Sequence, residues 1–234
     1  MRGFFITGPD THVGKTFVGC ALAAAARRAG WNVRALKPIE TGCQKVGGGR
    51  LVPADAIALA EAAGHPDVGW NDPWFFRHEL AAAPAATPSG GLTDLDWLLG
   101  AIPPHFEGVD AALVEGAGGL LAPIGPGLLI ADLAVSLMLP LLVIAPNRLG
   151  VVNHVLLTLE AARARSLFVA AVILNTPAQP VGSPTDVSLS SNAGLIAEHG
   201  RVRVLGPCPH VASRDSTAVL QALPALARLW HDPA

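Results

Sequence analysis

The sequence predicts an α/β protein: a doubly wound, mostly parallel sheet with helices on both faces. Two observations carry this. Short apolar runs recur six times along the 234 residues, and four of them are apolar almost throughout, the pattern of strands buried on both faces. Between the runs lie amphipathic or alanine-rich segments long enough to cross over as helices and cover the sheet. The strands are expected at 3–7, 33–36, 111–114, 141–145, 169–174 and 202–205, with Arg34 and Arg203 interrupting the second and the last. The helices are expected at 15–28, 53–63, 94–102, 129–137, 153–165, 192–199 and 216–229, the last kinked at Pro224. Gly30 and Gly64 stop the first two helices, and Thr93-Asp94 opens the third with a capping residue. Residues 79–92 and 177–191 read as long loops, which in a compact domain tend to be functional.

Composition narrows the class. Charged residues are 15% of the chain and hydrophobic ones 51%, which excludes a disordered or fibrous protein and leaves ample material for a core. A net charge of −2 and no basic run longer than Arg27-Arg28 argue against sequence-independent nucleic-acid binding, which needs clustered cations. Three cysteines, Cys20, Cys43 and Cys208, form no pairing framework or metal-ligand spacing, as suits a reducing compartment, and a cytoplasmic location is expected. Mean hydropathy is +0.44. The most apolar stretch, 128–146, is interrupted by Asp132 and Pro140, so it reads as helix then buried strand, not a membrane span. The N-terminus has no signal-peptide layout. No repeat or linker divides the chain, so one domain over 1–234 is expected.

The first strand runs into Gly8-Pro9-Asp10-Thr11-His12-Val13-Gly14-Lys15-Thr16, and a helix opens at the lysine. This loop ends like a Walker A motif. There, backbone N–H groups and a helix N-terminus surround phosphate oxygens, the lysine reaches the terminal phosphates and the hydroxyl ligates Mg²⁺. The loop is one residue longer than the standard pattern. Strand, glycine-bounded loop and helix in succession are the surroundings this chemistry requires, so the chain is expected to be P-loop NTPase-like.

Three further residues are candidates for the same chemistry. Glu115 ends the third strand in Val114-Glu115-Gly116-Ala117-Gly118-Gly119, where open α/β sheets bind ligands, and is the best carboxylate for a nucleotide-bound Mg²⁺. Asp55 is a weaker candidate, since an acid in the first turn of a helix is also ordinary dipole complementation. Lys37 ends the second strand before Pro38. It is either a second cation at a phosphoryl-transfer site or a strand-end lysine facing water.

Taken together, these motifs resemble the dethiobiotin synthetases, the ATP-dependent carboxylating and ring-closing enzymes of biotin synthesis. The family's loop stands at Gly8 to Thr16 with the extra residue, its Lys-Pro with a hydroxyl four residues on at Lys37, Pro38 and Thr41, and its Val-Glu-Gly-Ala-Gly-Gly whole at Val114 to Gly119. Leu149-Gly150, Asn153-His154 and Leu157-Thr158 resemble the family's subunit-interface segment, and Asn175 ends the fifth strand where the family reads adenine.

The resemblance implies roles. Lys15 and the backbone of His12, Val13, Gly14, Thr16 and Phe17 would hold the ATP phosphates, with Gly116, Ala117 and Gly118 beside them. Thr16, Asp55 and Glu115 would surround Mg²⁺. Lys37 and Lys15 would be catalytic, Lys37 neutralising a carbamate and the phosphoryl group in transfer, while Thr41 would bond the substrate. Asn175, Thr176, Pro209, His210 and Val211 would contact adenine. Gly150, Val151, Val152 and Asn153 would bind the substrate carboxylate from the neighbouring subunit of a homodimer. The implied substrates are 7,8-diaminopelargonic acid, CO₂ and ATP, with no nucleic-acid or membrane partner.

Some positions depart from the family. His12 stands where an acid is frequent, Arg148 where a lysine is common, and residues 47–49 are an insertion, so that Asp55 is assigned through its Asp-Ala-x-Ala-Leu stretch. The tail after Val211 shows no clear match, and a closing helix is expected there. His154 reads as a packing or interface residue, and the other histidines show no ligand spacing. Trp70, Trp74, Phe75 and Phe76 read as an apolar patch under a loop.

Two other classes share the loop. Glutamine-dependent cobyrinic acid amidating enzymes need a glutaminase domain, for which 234 residues leave no room, so that reading requires a partner chain to supply one. Partition or septum-site switch ATPases carry an extra lysine near the loop's start, and Gly8 to Val13 holds none.

Overall fold

The computed structural model describes residues 2–66, 76–77, 94–176, 188–210 and 224–232. Six strands form one sheet: β1 (Arg2–Thr7), β2 (Val33–Leu36), β3 (Ala111–Glu115), β4 (Leu141–Pro146), β5 (Val169–Asn175) and β6 (Val204–Cys208). Their spatial order is β6-β5-β4-β1-β3-β2 and every pairing is parallel. The described helices are α1 (Lys15–Arg28), α2 (Ala54–Ala63), α3 (Leu95–Ala101), α4 (Ile130–Leu137), α5 (Val151–Arg163), α6 (Ser188–Gly200) and α7 (Pro224–Arg228).

Alternation along the strands divides the core between two faces. On β1, Phe4 and Ile6 pack with α1, Leu59 and Ala63 of α2, and Leu226 of α7. Phe5 points the other way, into a cluster with Leu98 of α3 and Ile130, Leu133 and Ala134 of α4. On that second face Val143, Ala145, Val172 and Leu174 meet Val155 and Leu159 of α5 and Ile196 of α6. The doubly wound arrangement with helices on both faces is therefore present.

Local signals hold where they are local. Asp94 caps α3, its carboxylate accepting from the Asp96 N–H at 2.9 Å. Gly64 ends α2 in the left-handed conformation. The apolar stretch 128–146 is α4 followed by β4, with the Asp132 carboxylate accepting from the Leu129 N–H at 2.7 Å. Among the described residues no helix is long and apolar enough to cross a membrane.

Three elements shift by two residues or more for tertiary reasons. The last strand begins at Val204 and reaches Cys208, not 202–205, because pairing with Val172 starts at Val204, and β6 is the sheet edge, where Pro207 needs no donor. α5 begins at Val151, not 153, since Gly150 takes a positive φ of 87° and its carbonyl accepts from His154 N–H, starting the helix. α6 begins at Ser188, not 192, where its first turn is held by Asn147, whose side chain donates to the Leu189 carbonyl at 3.1 Å.

The expected closing helix is present in its described part. After α7, Trp230 is buried against Phe4 at a ring distance of 5.1 Å and donates its indole N–H to the Leu22 carbonyl of α1 at 3.0 Å. Most of the long loops at 79–92 and 177–191, and the aromatic segment with Trp70, Trp74 and Phe75, lie outside the described residues, as do the side chain of Phe76 and residues 211–223.

Candidate active site at the carboxyl edge of the sheet

Because all strands are parallel, their carboxyl ends share one edge. β1 ends at Thr7 between β3, which ends at Glu115, and β4, which ends at Pro146; β2 delivers Lys37 beside Glu115. The crevice at such a switch in strand order is where open α/β sheets bind ligands.

The loop after β1 folds back on itself. Gly14, at φ 96°, turns the chain into α1, and a Cβ there would lie 2.2 Å from Nδ2 of Asn175. Only glycine combines that backbone conformation with so close a neighbour. Asn175 is buried and donates to the Val13 carbonyl at 3.2 Å, which ties the phosphate loop to the end of β5. Lys15 donates to the Asp10 carbonyl at 2.7 Å, so its ammonium lies across the loop. The segment after β3 clamps the loop from the other side, with the Gly116 N–H donating to Ile6 and the Leu120 N–H to Gly8. His12 adopts φ 56° at the exposed tip of the loop.

Four side chains expected to act together do converge. Lys37 donates to Glu115 Oε1 at 2.7 Å and to Asp55 Oδ2 at 2.5 Å, and the Thr16 hydroxyl donates to the same Glu115 Oε1 at 2.9 Å. Lys37 is 6% exposed and Glu115 1%, so Lys37 is not a strand-end lysine in water. Burial opposes the Lys37 charge, but Glu115 and Asp55 outweigh it and hold its pKa well above the ordinary lysine value. Lys15 lacks such compensation: burial pushes it down to about 8, with Glu115 opposing and Lys37 reinforcing the shift. Two lysines of unequal basicity thus face one crevice.

These groups fit a divalent cation. Thr16, Asp55 and Glu115 offer only oxygen donors, as Mg²⁺ demands. Glu115 Oε2 is buried without a hydrogen-bond partner among the described residues, a costly arrangement unless a cation is to be met there.

Glu40 is a residue the motifs did not mark. Its buried carboxylate accepts from the backbone N–H groups of Asp55 at 3.0 Å and Ala56 at 2.9 Å, capping α2 from outside the helix. Burial raises its pKa, opposed by those two bonds and by Lys37. Its only sequence signal is its position three residues after Lys37.

Beyond the loop opens a cavity of about 560 Å³, lined by Asp10, Thr11, Thr41, Gly118, His154 and Thr158 among others, with apolar walls from Leu120 to Ile124 and Leu157. Gly150, Val151, Val152 and Asn153 form the turn and first residues of α5. On the other side, the Thr176 N–H donates to Cys208, and Pro209 and His210 follow β6 in exposed positions; Val211 lies outside the described residues.

A parallel sheet, a phosphate loop opening α1, and buried lysines with carboxylates at the strand ends define a P-loop nucleotide-binding protein. A family model described as an AAA domain matches residues 2–217. The chain is 42% identical to an ATP-dependent dethiobiotin synthetase of Anaeromyxobacter dehalogenans over 84% of its length and 85% of that protein's. It belongs to the ATP-dependent dethiobiotin synthetase family, the ligases that close the ring of dethiobiotin in biotin biosynthesis.

More distant members agree: the protein of Aromatoleum aromaticum is 33% identical, covering 95% of this chain and 96% of its own, and that of Caulobacter vibrioides 33%, covering 96% and 100%. Among solved structures, the MinC:MinD cell division complex of Aquifex aeolicus matches with a TM-score of 0.57 at 15% identity, covering 97% of this chain and 95% of that one. Cobyrinic acid a,c-diamide synthase of Mycobacterium smegmatis, with bound ADP and magnesium, matches with 0.57 at 15%, covering 100% and 97%. At that identity they share the fold alone.

Proposed function

We propose that this chain, as one ATP-binding domain, converts 7,8-diaminopelargonic acid, CO₂ and ATP into dethiobiotin, ADP and phosphate. The observation that carries this is the meeting of Lys37, Thr16, Asp55 and Glu115 beside the phosphate loop, whose Asp10 and Thr11 also line a cavity with threonine hydroxyls and apolar walls.

One amine of the diamine captures CO₂ as a carbamate, whose oxygen attacks the γ-phosphate. The second amine then attacks the activated carbonyl, closes a five-membered cyclic urea and expels phosphate. Both amines belong to one molecule, so ring closure gains from proximity. Lys15 and the N–H groups of residues 12–17 hold the triphosphate at the helix N-terminus. Lys37 places its charge between carbamate and transferring phosphoryl, where electrostatic stabilisation contributes most of the catalysis. Thr11 and Thr41 face the cavity and orient the diamine, whose alkyl chain lies along Leu120 to Ile124. Asn175, Thr176, Pro209, His210 and Val211 receive adenine.

Thr16, Asp55 and Glu115 would hold Mg²⁺, which when bound neutralises charge on the β- and γ-phosphates. The turn at Gly150 to Asn153 receives the substrate carboxylate from the neighbouring subunit of a homodimer. Leu121 and Leu157, which line the cavity and are exposed by 48% and 57%, support that assembly, since exposed apolar side chains at a site favour cover by another surface. Near-neutral charge and three cysteines that form no disulfide support a cytoplasmic enzyme without nucleic-acid or membrane partners.

Incubating the chain with diaminopelargonate, bicarbonate, Mg²⁺ and ATP yields dethiobiotin and ADP. ATP hydrolysis indifferent to the diamine would overturn the proposal.

A further inference from the structure

Three buried asparagines, of which only Asn175 belongs to a segment already assigned a role, link the phosphate loop to the turn before α5. Asn175, at the end of β5, donates its side-chain amide to the Val13 carbonyl of the phosphate loop, and its backbone carbonyl accepts from the Asn147 backbone N–H at 2.7 Å. Asn147, just past β4, donates its amide to the Leu189 carbonyl of α6 at 3.1 Å and accepts from Asn192 Nδ2 at 2.8 Å. Asn192, 2% exposed, also donates to the Arg148 carbonyl at 3.2 Å. That same carbonyl accepts from the Val151 N–H at 3.2 Å and so closes the turn before α5.

The link is continuous from the phosphate loop to the turn of residues 148–150. Hydrogen-bonded polar networks in a low-dielectric interior are stiff, because each broken bond leaves a buried group unsatisfied. Without it, the turn would be loosely placed: Leu149 and Gly150 are exposed, and Gly150 lies at a positive φ. A carboxylate site made of backbone N–H groups works only if those groups are fixed in advance.

We propose that Asn192, through Asn147 and the Arg148 carbonyl, is a positioning residue for the carboxylate of the diamine. It fixes the turn at Gly150 to Asn153 and does not itself touch substrate. This rests on the reading above, in which that turn serves the neighbouring subunit's site.

The test is Asn192→Ala, with Asn147→Ala reaching the same link from the other side in case the first variant folds poorly; thermal melts establish folding. The expected result is a KM for the diamine raised about tenfold, the worth of one or two buried hydrogen bonds, with KM for ATP and kcat within about twofold. A merely structural role would move all three together, and that result, or an unchanged KM for the diamine, overturns the proposal. Hybrid dimers of Asn192→Ala and Lys37→Ala subunits separate it from the subunit-crossing reading. Their single competent site takes Lys37 from one subunit and an intact turn from the other. A KM restored to the unmodified value supports both readings; a raised KM that hybrids do not restore supports the positioning role and overturns the crossing of subunits.

Discussion

Lys37 and Glu115, 78 residues apart, meet with Nζ 2.7 Å from Oε1 at the carboxyl edge of the sheet, both buried. The pair explains why a lysine is stable there. Taking an ammonium out of water is costly, and the Glu115 and Asp55 carboxylates return that cost as a raised pKa. It also holds Lys37 charged at the place where a carbamate and a phosphoryl oxygen would need it.

Lys37→Ala removes the cation and leaves Glu115 with only the Thr16 hydroxyl as a donor among the described residues. Turnover should fall about 10²- to 10³-fold, as for loss of one preorganised group at a developing oxyanion, while ATP still binds through the loop. Steady-state kinetics together with equilibrium dialysis of ATP check this, and unchanged turnover would remove Lys37 from the mechanism.

Lys15 gives a pH dependence of definite sign. Its pKa in the folded protein is about 8 against an ordinary 10.5, because burial disfavours the charge. Between those values the unfolded chain holds a proton that the folded one has lost, so this group's contribution to stability rises with pH across the window. A triphosphate favours the charged form, so ATP binding takes up a proton above pH 8 and weakens as pH rises through that value. Calorimetry in buffers of different ionisation enthalpy measures the uptake, and zero uptake would contradict the assignment.

Glu40→Ala strips two acceptors from the start of α2, the turn that carries Asp55. Loss of a helix cap costs about 1–2 kcal/mol, so the melting temperature should drop, and the Mg²⁺ concentration giving half-maximal activity should rise as Asp55 loosens. Glu40→Gln, which keeps one acceptor, should lie between. A melt shifted without any change in Mg²⁺ requirement would restrict Glu40 to stability.

Trp230→Ala tests the closing segment. The side chain fills a buried place between Phe4 and Trp31 and satisfies the Leu22 carbonyl, so truncation should cost about 3–5 kcal/mol in denaturant unfolding, with the diamine KM unchanged in protein that remains folded. A loss below about 1 kcal/mol would show the segment to be peripheral.

Much of this molecule was legible in the chain itself. The five strands before the last, the start of α1 at Lys15 and the caps at Gly64 and Asp94 depend on burial and dihedral preferences of nearby residues, which are written locally. The phosphate loop is legible for the same reason: its glycines, lysine and hydroxyl are consecutive. The strand order, the contact of Asn175 with the Val13 carbonyl, the capping of α2 by Glu40 and the Asn147–Asn192 pair were not, because each joins groups remote in sequence whose polar atoms meet only when separate strands and helices dock. Backbone conformation is chosen largely by neighbours along the chain. The pairing of buried polar groups is chosen by whatever packing brings opposite, and at this sheet edge that packing turns Lys37, Thr16, Asp55 and Glu115 into one site.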